Sequence, residues 1–208
     1  MRRLAILGAS GHGKVVADTA IRAGWETIAF FDDSWGNAQP NTAFSVIGKT
    51  STLIDMADKF DGAIIAIGDN RTRLMKALQL SDAGLPLPNL VHPYSYVANN
   101  VIIGAGTVIF AGAIIQSGTS IGPASIVNTG ATVDHDCSLS AGSHISPGAH
   151  LAGSVHVGEC AWVGIGSTVN QNLSIGDDAI IGANAAVITD VRNGVTMVGV
   201  PANVLQKG

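Results

Sequence analysis

The chain has 208 residues, enough for one large domain or two small ones. Hydrophobic residues make up 47% and charged residues only 12%, so the composition is that of a globular protein with a buried core and excludes disorder. The net charge is −4 and no Lys or Arg lies between Lys76 and Arg192, which excludes a general binder of nucleic acid or anionic membranes.

Residues 1–92 alternate strand-like and helix-like segments. Short apolar runs predict strands at 4–7, 27–31, 63–67 and 89–91. Helical spacing predicts helices at 12–23, 50–60 and 70–83, the last with Leu74, Ala77 and Leu78 on one face. This alternation predicts a small Rossmann-like α/β domain, in which helices cover a parallel sheet.

Residues 93–208 carry a different signal, a repeat of six residues. The repeat places an aliphatic residue at every sixth position: Val97, Ile103, Ile109, Ile115, Ile121, Val127, Val133, Leu139, Ile145, Leu151, Val157, Val163, Val169, Ile175, Ile181 and Val187. A mostly small residue follows four positions after each of them. This period predicts a three-sided solenoid in which three hexads close one coil and residues eighteen apart stack at about 4.8 Å.

Short motifs in both halves point to one family. They are Gly8–Gly13 after the first strand, Asp32–Asp33 after the second, Ile67–Asn70 after the third, and Val198–Ala202 near the end. Together with the hexad repeat, they make the chain resemble the hexapeptide-repeat sugar acetyltransferases of the sialic acid O-acetyltransferase type. This branch includes the N-acetyltransferases of UDP-linked 4-amino sugars. The resemblance implies a left-handed parallel β-helix, usually in a homotrimer that binds acetyl-CoA between neighbouring β-helices.

The segment 128–137 resembles the family's catalytic segment. His135 follows Val133 by two positions, where the hexad pattern points side chains outward, and Asp134 and Asp136 flank it. Acetyl transfer needs a base near neutral pKa, and a neighbouring carboxylate orients such an imidazole. The resemblance therefore implies His135 and Asp136 as the catalytic residues, with Asp136 where the family often has Glu. The alternative interpretation of His135, without the resemblance, is a polar residue on a solvated face.

The resemblance also implies an acetyl-CoA site, with acetyl-CoA as co-substrate and no metal. The implied residues are Asn128, His144, Gly153, Ile165, Gly182 and Ala183. The CoA phosphates would need backbone N–H groups, or Arg192 and Lys207. Three histidines spaced by six, His144, His150 and His156, fall on successive faces. They leave open only a zinc site shared across a trimer.

The glycine-rich turn at Gly8–Gly13 joins a strand to a helix, a setting that can bring backbone N–H groups to a diphosphate. An ordinary tight turn is the alternative, just as Asp32–Asp33 fits a solvated strand end. The resemblance implies a nucleotide-sugar site with six residues: Ser10, Gly11, His12, Asp32, Asp33 and Gly68. Arg71 and Arg73 are expected either to balance phosphate charge or to lie on an exposed helix face.

The sequence thus predicts acetyl transfer from acetyl-CoA to the amino group of a nucleotide-linked sugar, expected to be a UDP-linked 4-amino sugar, for glycan or polysaccharide assembly. The alternatives are O-acetylation of a sialic acid or related sugar, a trimeric zinc enzyme, and a non-catalytic binding module. Cys137 and Cys160 show no disulfide or zinc spacing, and no signal peptide or membrane span is visible, so we expect a cytoplasmic protein.

Overall fold

The computed structural model describes residues 1–34 and 45–205. The chain forms two compact units, Met1–Pro93 and Tyr94–Gly208. Among the helices of the described residues, none combines the length and apolar character needed to cross a membrane.

A four-stranded parallel sheet forms the centre of the first unit, in the order β3-β2-β1-β4. Its strands are β1 (Arg3–Leu7), β2 (Thr27–Phe31), β3 (Val46–Gly48) and β4 (Gly62–Ile65). The helices are α1 (Gly11–Arg22), α2 (Thr50–Asp55) and α3 (Asn70–Asp82), with a 3₁₀ turn at Ala57–Lys59 and a short strand β5 (Leu90–Val91). Residues 4–7 of β1 are buried almost completely, as expected for a central parallel strand. The predicted α/β sheet is therefore confirmed.

Three details of the first unit differ from the sequence prediction. The strand β3 was not predicted. The predicted helix 50–60 is split into α2 and the 3₁₀ turn. The predicted face of α3 is wrong in part, because Leu78 is 56% exposed whereas Arg73 and Leu80 are buried beside Ala77. The 3.6-residue period brings 73, 77 and 80 onto one stripe, so a buried arginine takes the place where an apolar side chain is normal.

Two-residue strands build the second unit. Between Tyr96 and Val187 they are β6 (Tyr96–Val97), β7 (Ile102–Ile103), β8 (Val108–Ile109), β9 (Ile114–Ile115), β10 (Ser120–Ile121), β11 (Ile126–Val127), β12 (Thr132–Val133), β13 (Ser138–Leu139), β14 (His144–Ile145), β15 (His150–Leu151), β16 (His156–Val157), β17 (Trp162–Val163), β18 (Thr168–Val169), β19 (Ser174–Ile175), β20 (Ile180–Ile181) and β21 (Ala186–Val187). The second residue of each strand is the predicted aliphatic one, and from Ile109 to Val187 all of them are buried. The hexad prediction is confirmed.

Three parallel walls arise from this stacking. The first joins β6, β9, β12, β15, β18 and β21, and the second joins β7, β10, β13, β16 and β19. The third runs from β8 through β11, β14, β17 and β20 to β22 (Thr196–Val198), which β23 (Asn203–Val204) pairs in antiparallel fashion. From β6 to β21 partners are eighteen residues apart, as in the pairing of Ser120 with Ser138. The unit is the predicted parallel β-helix.

The corners between the walls share one backbone feature. Every sixth residue from 106 to 184 has a positive φ. Glycine holds seven of these fourteen positions and enters this region without steric cost. Other residues hold the remaining seven: Ala124, Asp136, Ser154, Cys160, Asn172, Asp178 and Asn184. Asp136 thus occupies a corner position with a left-handed backbone.

Candidate functional site

A histidine and an aspartate pair at the corner between β12 and β13. Nδ1 of His135 lies 2.9 Å from Oδ2 of Asp136, and the two side chains are 60% and 66% exposed. An ionised carboxylate only accepts hydrogen bonds, so Nδ1 carries the proton, and in the neutral imidazole Nε2 keeps its lone pair. The pair therefore presents a basic nitrogen, oriented by an acid, to the outside of the β-helix.

Two carboxylates tune this imidazole. The hydrogen bond that His135 donates to Asp136 raises the pKa of His135 above its ordinary value; desolvation opposes this rise, and the charges of Asp134 and Asp136 add to it. Asp134 is itself fixed, because its Oδ1 accepts the backbone N–H of His135 at 2.9 Å. The base is thereby strengthened without leaving the solvent-exposed corner.

Gly153 lies against the imidazole from the following coil. A methyl group on its Cα would stand 2.6 Å from both Cε1 and Nε2 of His135, too close for any side chain. The resemblance implied Gly153 as an acetyl-CoA residue, and the structure places it beside the pair of His135 and Asp136.

A second cluster is centred on His144 of β14. Oδ1 of Asn128 accepts the backbone N–H of Thr129 at 2.8 Å, which turns the amide so that Nδ2 faces Nε2 of His144 at 3.1 Å. Nδ2 is a donor, so Nε2 of His144 accepts and the imidazole is neutral. On its other side the ring contacts Trp162, with ring centroids 4.8 Å apart, and Trp162 Nε1 donates to Ser146 Oγ at 2.7 Å.

His144 and Trp162 border an apolar cavity of about 340 Å³. The remaining lining residues are Ser146, Pro147, Gly164, Ile165, Ile180, Ile181, Gly182 and Ala183. The structure thus brings four of the implied acetyl-CoA residues together, namely His144, Ile165, Gly182 and Ala183. Asn128 joins them through its hydrogen bond to His144, whereas Gly153 does not line the cavity. Trp162 was missed, although its place eighteen residues after His144 in the same column was a usable signal.

The pair of His135 and Asp136 and the apolar cavity lie at different corners of one β-helix. The cavity occupies the wall of β14, β17 and β20 and the corner that follows it, and the pair occupies the corner after β12. Within one chain, His135 and the apolar cavity are therefore separated.

The three evenly spaced histidines lie on three walls, in β14, β15 and β16. Nδ1 of His150 contacts Thr132 Oγ1 at 2.9 Å, and Nδ1 of His156 contacts Ser138 Oγ at 2.6 Å. Across residues 1–34 and 45–205, no group of three or more His, Cys, Asp or Glu side chains is arranged to hold a metal ion.

The first unit has a cavity of about 320 Å³ at the carboxyl ends of β1, β2 and β4, where open parallel sheets bind ligands. Of the six residues implied for a nucleotide sugar, Ser10, Asp32, Asp33 and Gly68 line it. Gly11 and His12 begin α1 and are not part of its lining.

Both aspartates of the pair at the end of β2 are engaged by fixed donors. Asp32 accepts from the backbone N–H groups of Ala9 and Ser34, at 2.9 Å each. Asp33 accepts from Thr50 and, at 2.6 Å, from Lys76 Nζ. Burial alone would raise the pKa of each carboxyl, but these hydrogen bonds outweigh it and hold both pKa values below the ordinary range. The two carboxylates are therefore charged parts of the cavity wall.

The cation at this cavity is Lys76, which the sequence analysis did not single out. The expectation that Arg73 lies on an exposed helix face is wrong, and its expected role in balancing phosphate charge stays a prediction. Arg73 is only 1% exposed, and its guanidinium donates to the carbonyls of Ile67 and Gly68 and to Asn70 Oδ1. It thereby fixes the turn after β4 that lines the cavity. In the second unit, Arg192 is exposed, and Lys207 lies outside the described residues.

His12 sits behind the glycine-rich turn. Burial, and then the charge of Arg73, lower its pKa from 6.5 to about 4. The ring is therefore neutral at physiological pH.

Comparison with known proteins places this architecture in a family. Residues 3–80 match the PglD N-terminal domain. The whole chain is similar to the acetyltransferase domain of PglB from Neisseria gonorrhoeae FA1090, solved with acetyl coenzyme A, at 41% identity and a TM-score of 0.92, over 98% of this chain and 99% of that one. It is also similar to PerB from Caulobacter crescentus, solved with CoA and GDP-perosamine, at 36% identity and a TM-score of 0.93, over 99% and 98% of the two chains.

A curated relative agrees with these structures. The UDP-N-acetylbacillosamine N-acetyltransferase of Bacillus subtilis (strain 168) is 36% identical over 112 residues, or 52% of this chain. The match spans about half of that relative, 51% of its length. Since the similarity to PglB and PerB covers both units nearly end to end, the chain belongs to the hexapeptide-repeat sugar acetyltransferases, in the branch that includes these two proteins.

Proposed function

We propose that this protein transfers the acetyl group of acetyl-CoA to the amino group of a nucleotide-linked amino sugar. The observation that carries the proposal is the pair of His135 and Asp136, in which a proton fixed on Nδ1 leaves Nε2 free to act as a base. The family relatives solved with acetyl-CoA, and with CoA and GDP-perosamine, support the choice of both substrates.

The chemistry follows from the geometry of the pair. The amine nitrogen attacks the thioester carbonyl carbon, and Nε2 of His135 takes the proton that the nitrogen loses. The carbon–sulfur bond then breaks, the CoA sulfur leaves with the electron pair, and it gains a proton. Asp136 stabilises the imidazolium formed in between. No covalent enzyme intermediate is required.

The apolar cavity is proposed to hold the acyl end of acetyl-CoA. His144 accepts a hydrogen bond from Asn128 and contacts Trp162, so its imidazole is neutral and held in one orientation. This ring is proposed to lie beside the thioester. The cavity of the first unit is proposed to hold the nucleotide, with Lys76 as the cation and the backbone N–H groups at the start of α1 near the diphosphate.

A homotrimer is proposed as the active form. The separation of the pair from the cavity within one β-helix supports it, because a neighbouring copy can bring its cavity to the base. The cytoplasm is proposed as the compartment, in keeping with Cys137 and Cys160, which form no disulfide.

The first test is His135→Ala. Loss of a general base should lower the acetylation rate by roughly 10²–10⁴-fold while the fold is kept. His156→Ala is the matched control, because His156 is also an exposed histidine bonded through Nδ1, but its partner is the hydroxyl of Ser138 and it belongs to neither the pair nor the apolar cavity. Release of CoA measures both. Near-full activity in His135→Ala would contradict the proposed mechanism.

A panel of candidate acceptor sugars is used to identify the acceptor. CoA release is measured with UDP-, GDP- and dTDP-linked 4-amino sugars and with sialic acid, and the products are analysed for an amide or an ester. A nucleotide-linked amine is expected to be acetylated. Acetylation of sialic acid alone, at oxygen, would replace the proposal with the O-acetyltransferase alternative.

A further inference from the structure

The corner that carries the catalytic pair stacks on a glycine to which no role has been assigned. Gly118 lies eighteen residues before Asp136, at the same corner one coil earlier, and has a φ of +78°. A methyl group on its Cα would collide with Oδ1 of Asp136. The other oxygen of that carboxylate, Oδ2, is the one that accepts from Nδ1 of His135. The Asp136 carboxylate therefore packs against the Gly118 backbone through Oδ1 and binds the His135 imidazole through Oδ2.

We infer that Gly118 is a positioning residue for the base, because its missing side chain is the space in which the Asp136 carboxylate lies when it binds His135.

Aspartate has little freedom to compensate for a lost space. Only two side-chain torsions separate its carboxylate from the backbone, and the backbone of Asp136 is itself held, since its N–H donates to Ser117 O at 3.0 Å. A side chain at Gly118 would therefore turn the carboxylate away from Nδ1 of His135. The colliding atom is the end of a side chain, so the coil itself can persist.

The charges around His135 make this displacement measurable. Asp134 and Asp136 are the charged groups of its own corner, while residues 116–119 and 152–155 of the adjacent coils contain no charged side chain. Asp136 is the leading cause of the raised pKa of His135. Turning the Asp136 carboxylate away removes the hydrogen bond that raises the pKa of His135, while the charge of Asp134 continues to raise it.

The test is a proton NMR titration of the His135 imidazole in the full chain, with its signal assigned by its loss in His135→Ala. Gly118→Ala is expected to lower the pKa of His135 towards the value found in Asp136→Asn, because the hydrogen bond is lost while the charge of Asp136 remains. Gly112→Ala is the matched control, because Gly112 has a similar φ of +73° and a methyl group there meets only ordinary contacts at 3.6 Å. It should leave the titration unchanged.

A second variant guards against loss of the fold. Asparagine tolerates a positive φ better than alanine, yet its Cβ meets Asp136 in the same way, so Gly118→Asn should give the same fall in the pKa of His135. An unchanged titration in a folded Gly118 variant would overturn the inference, whatever the activity.

The effect on rate rests on the proposed function. If His135 is the base, kcat should fall on the order of 10²-fold in Gly118→Ala, and the acid limb of the kcat/KM profile should move to lower pH. The double variant with Asp136→Asn should be no slower than the slower single variant. If the titration shifts while neither Gly118→Ala nor Asp136→Asn loses activity, the positioning role stands and the proposed role of His135 fails.

Discussion

At the scale of single residues, the two histidines His12 and His135 are tuned in opposite directions. His135 is exposed and its pKa is raised by Asp136, whereas His12 is largely buried and its pKa is lowered to about 4. The exposed ring is suited to accepting a proton, and the buried ring is suited to remaining neutral. The contrast follows from whether a carboxylate or a low-dielectric surrounding dominates the local environment.

The pKa of His12 predicts how stability depends on pH. In the unfolded chain this histidine titrates near its ordinary 6.5, so on acidification the unfolded state binds the proton first. The free energy of unfolding should therefore fall as the pH drops from 6.5, and the loss should approach ~3 kcal/mol at about pH 4.

Urea unfolding of the full chain at a series of pH values measures this effect. His12→Gln cannot titrate and should show a correspondingly smaller acid loss, even if its stability at neutral pH is lower. Equal pH slopes in the two proteins would show that His12 is not buried as a neutral ring.

At the scale of elements, α3 carries two long cations with different tasks. Arg73 faces the sheet and binds the carbonyls at the end of β4. Lys76, almost one turn further on, faces the cavity and binds Asp33. The helix thus both fixes the rim of the cavity and supplies its positive charge.

This arrangement predicts a selective effect of Lys76→Met. The variant keeps most of the apolar stem and removes the charge, so KM for the nucleotide sugar should rise about tenfold or more, while KM for acetyl-CoA should change little. Steady-state kinetics with each substrate varied in turn measures both. Lys59→Met is the control, because Lys59 pairs with Asp58 at an exposed turn. Equal changes in the two KM values would contradict a nucleotide role for this cavity.

The elements also show why prediction from sequence succeeded in one unit and failed at points in the other. The hexad repeat is redundant, since each buried aliphatic residue has partners eighteen residues away, and one irregular hexad does not obscure it. The strand β3 offers only Val46 and Ile47 before Gly48, so it gave no detectable signal. Arg73 was misassigned because a helical arginine is normally exposed, and only the tertiary structure reveals the carbonyls that it binds.

The candidate site shows the same division. Spacing in the hexads placed His135 on the outside of the β-helix, and its pairing with Asp136 follows from their adjacency. Trp162 and Gly118 went unnoticed because their importance comes from stacking between coils. The link from Lys76 to Asp33 spans 43 residues, and no local pattern encodes it.

At the scale of the whole molecule, the separation of base and cavity predicts complementation between copies. His135→Ala and His144→Ala chains should each be poorly active as pure assemblies. If the base of one chain works on the cavity of the next, every cyclic trimer that contains both variants should hold one intact site, so about a third of the sites should be restored. The two variants are co-expressed with different tags, isolated by both tags, and assayed for CoA release.

Activity no greater than that of the pure variants would show that each chain works alone. Mixtures with unmutated chains, purified in the same way, control for damage caused by the tags.

The eighteen-residue register of the β-helix has a consequence for how such a chain can change in length. Deleting or duplicating one complete circuit leaves every later side chain on its original wall, and only the height of the prism changes. Losing a single hexad instead rotates everything downstream by one wall, which would turn the cavity of β17 and β20 away from His144. Insertions and deletions in this fold should therefore come in whole circuits wherever functional residues lie both before and after the altered segment.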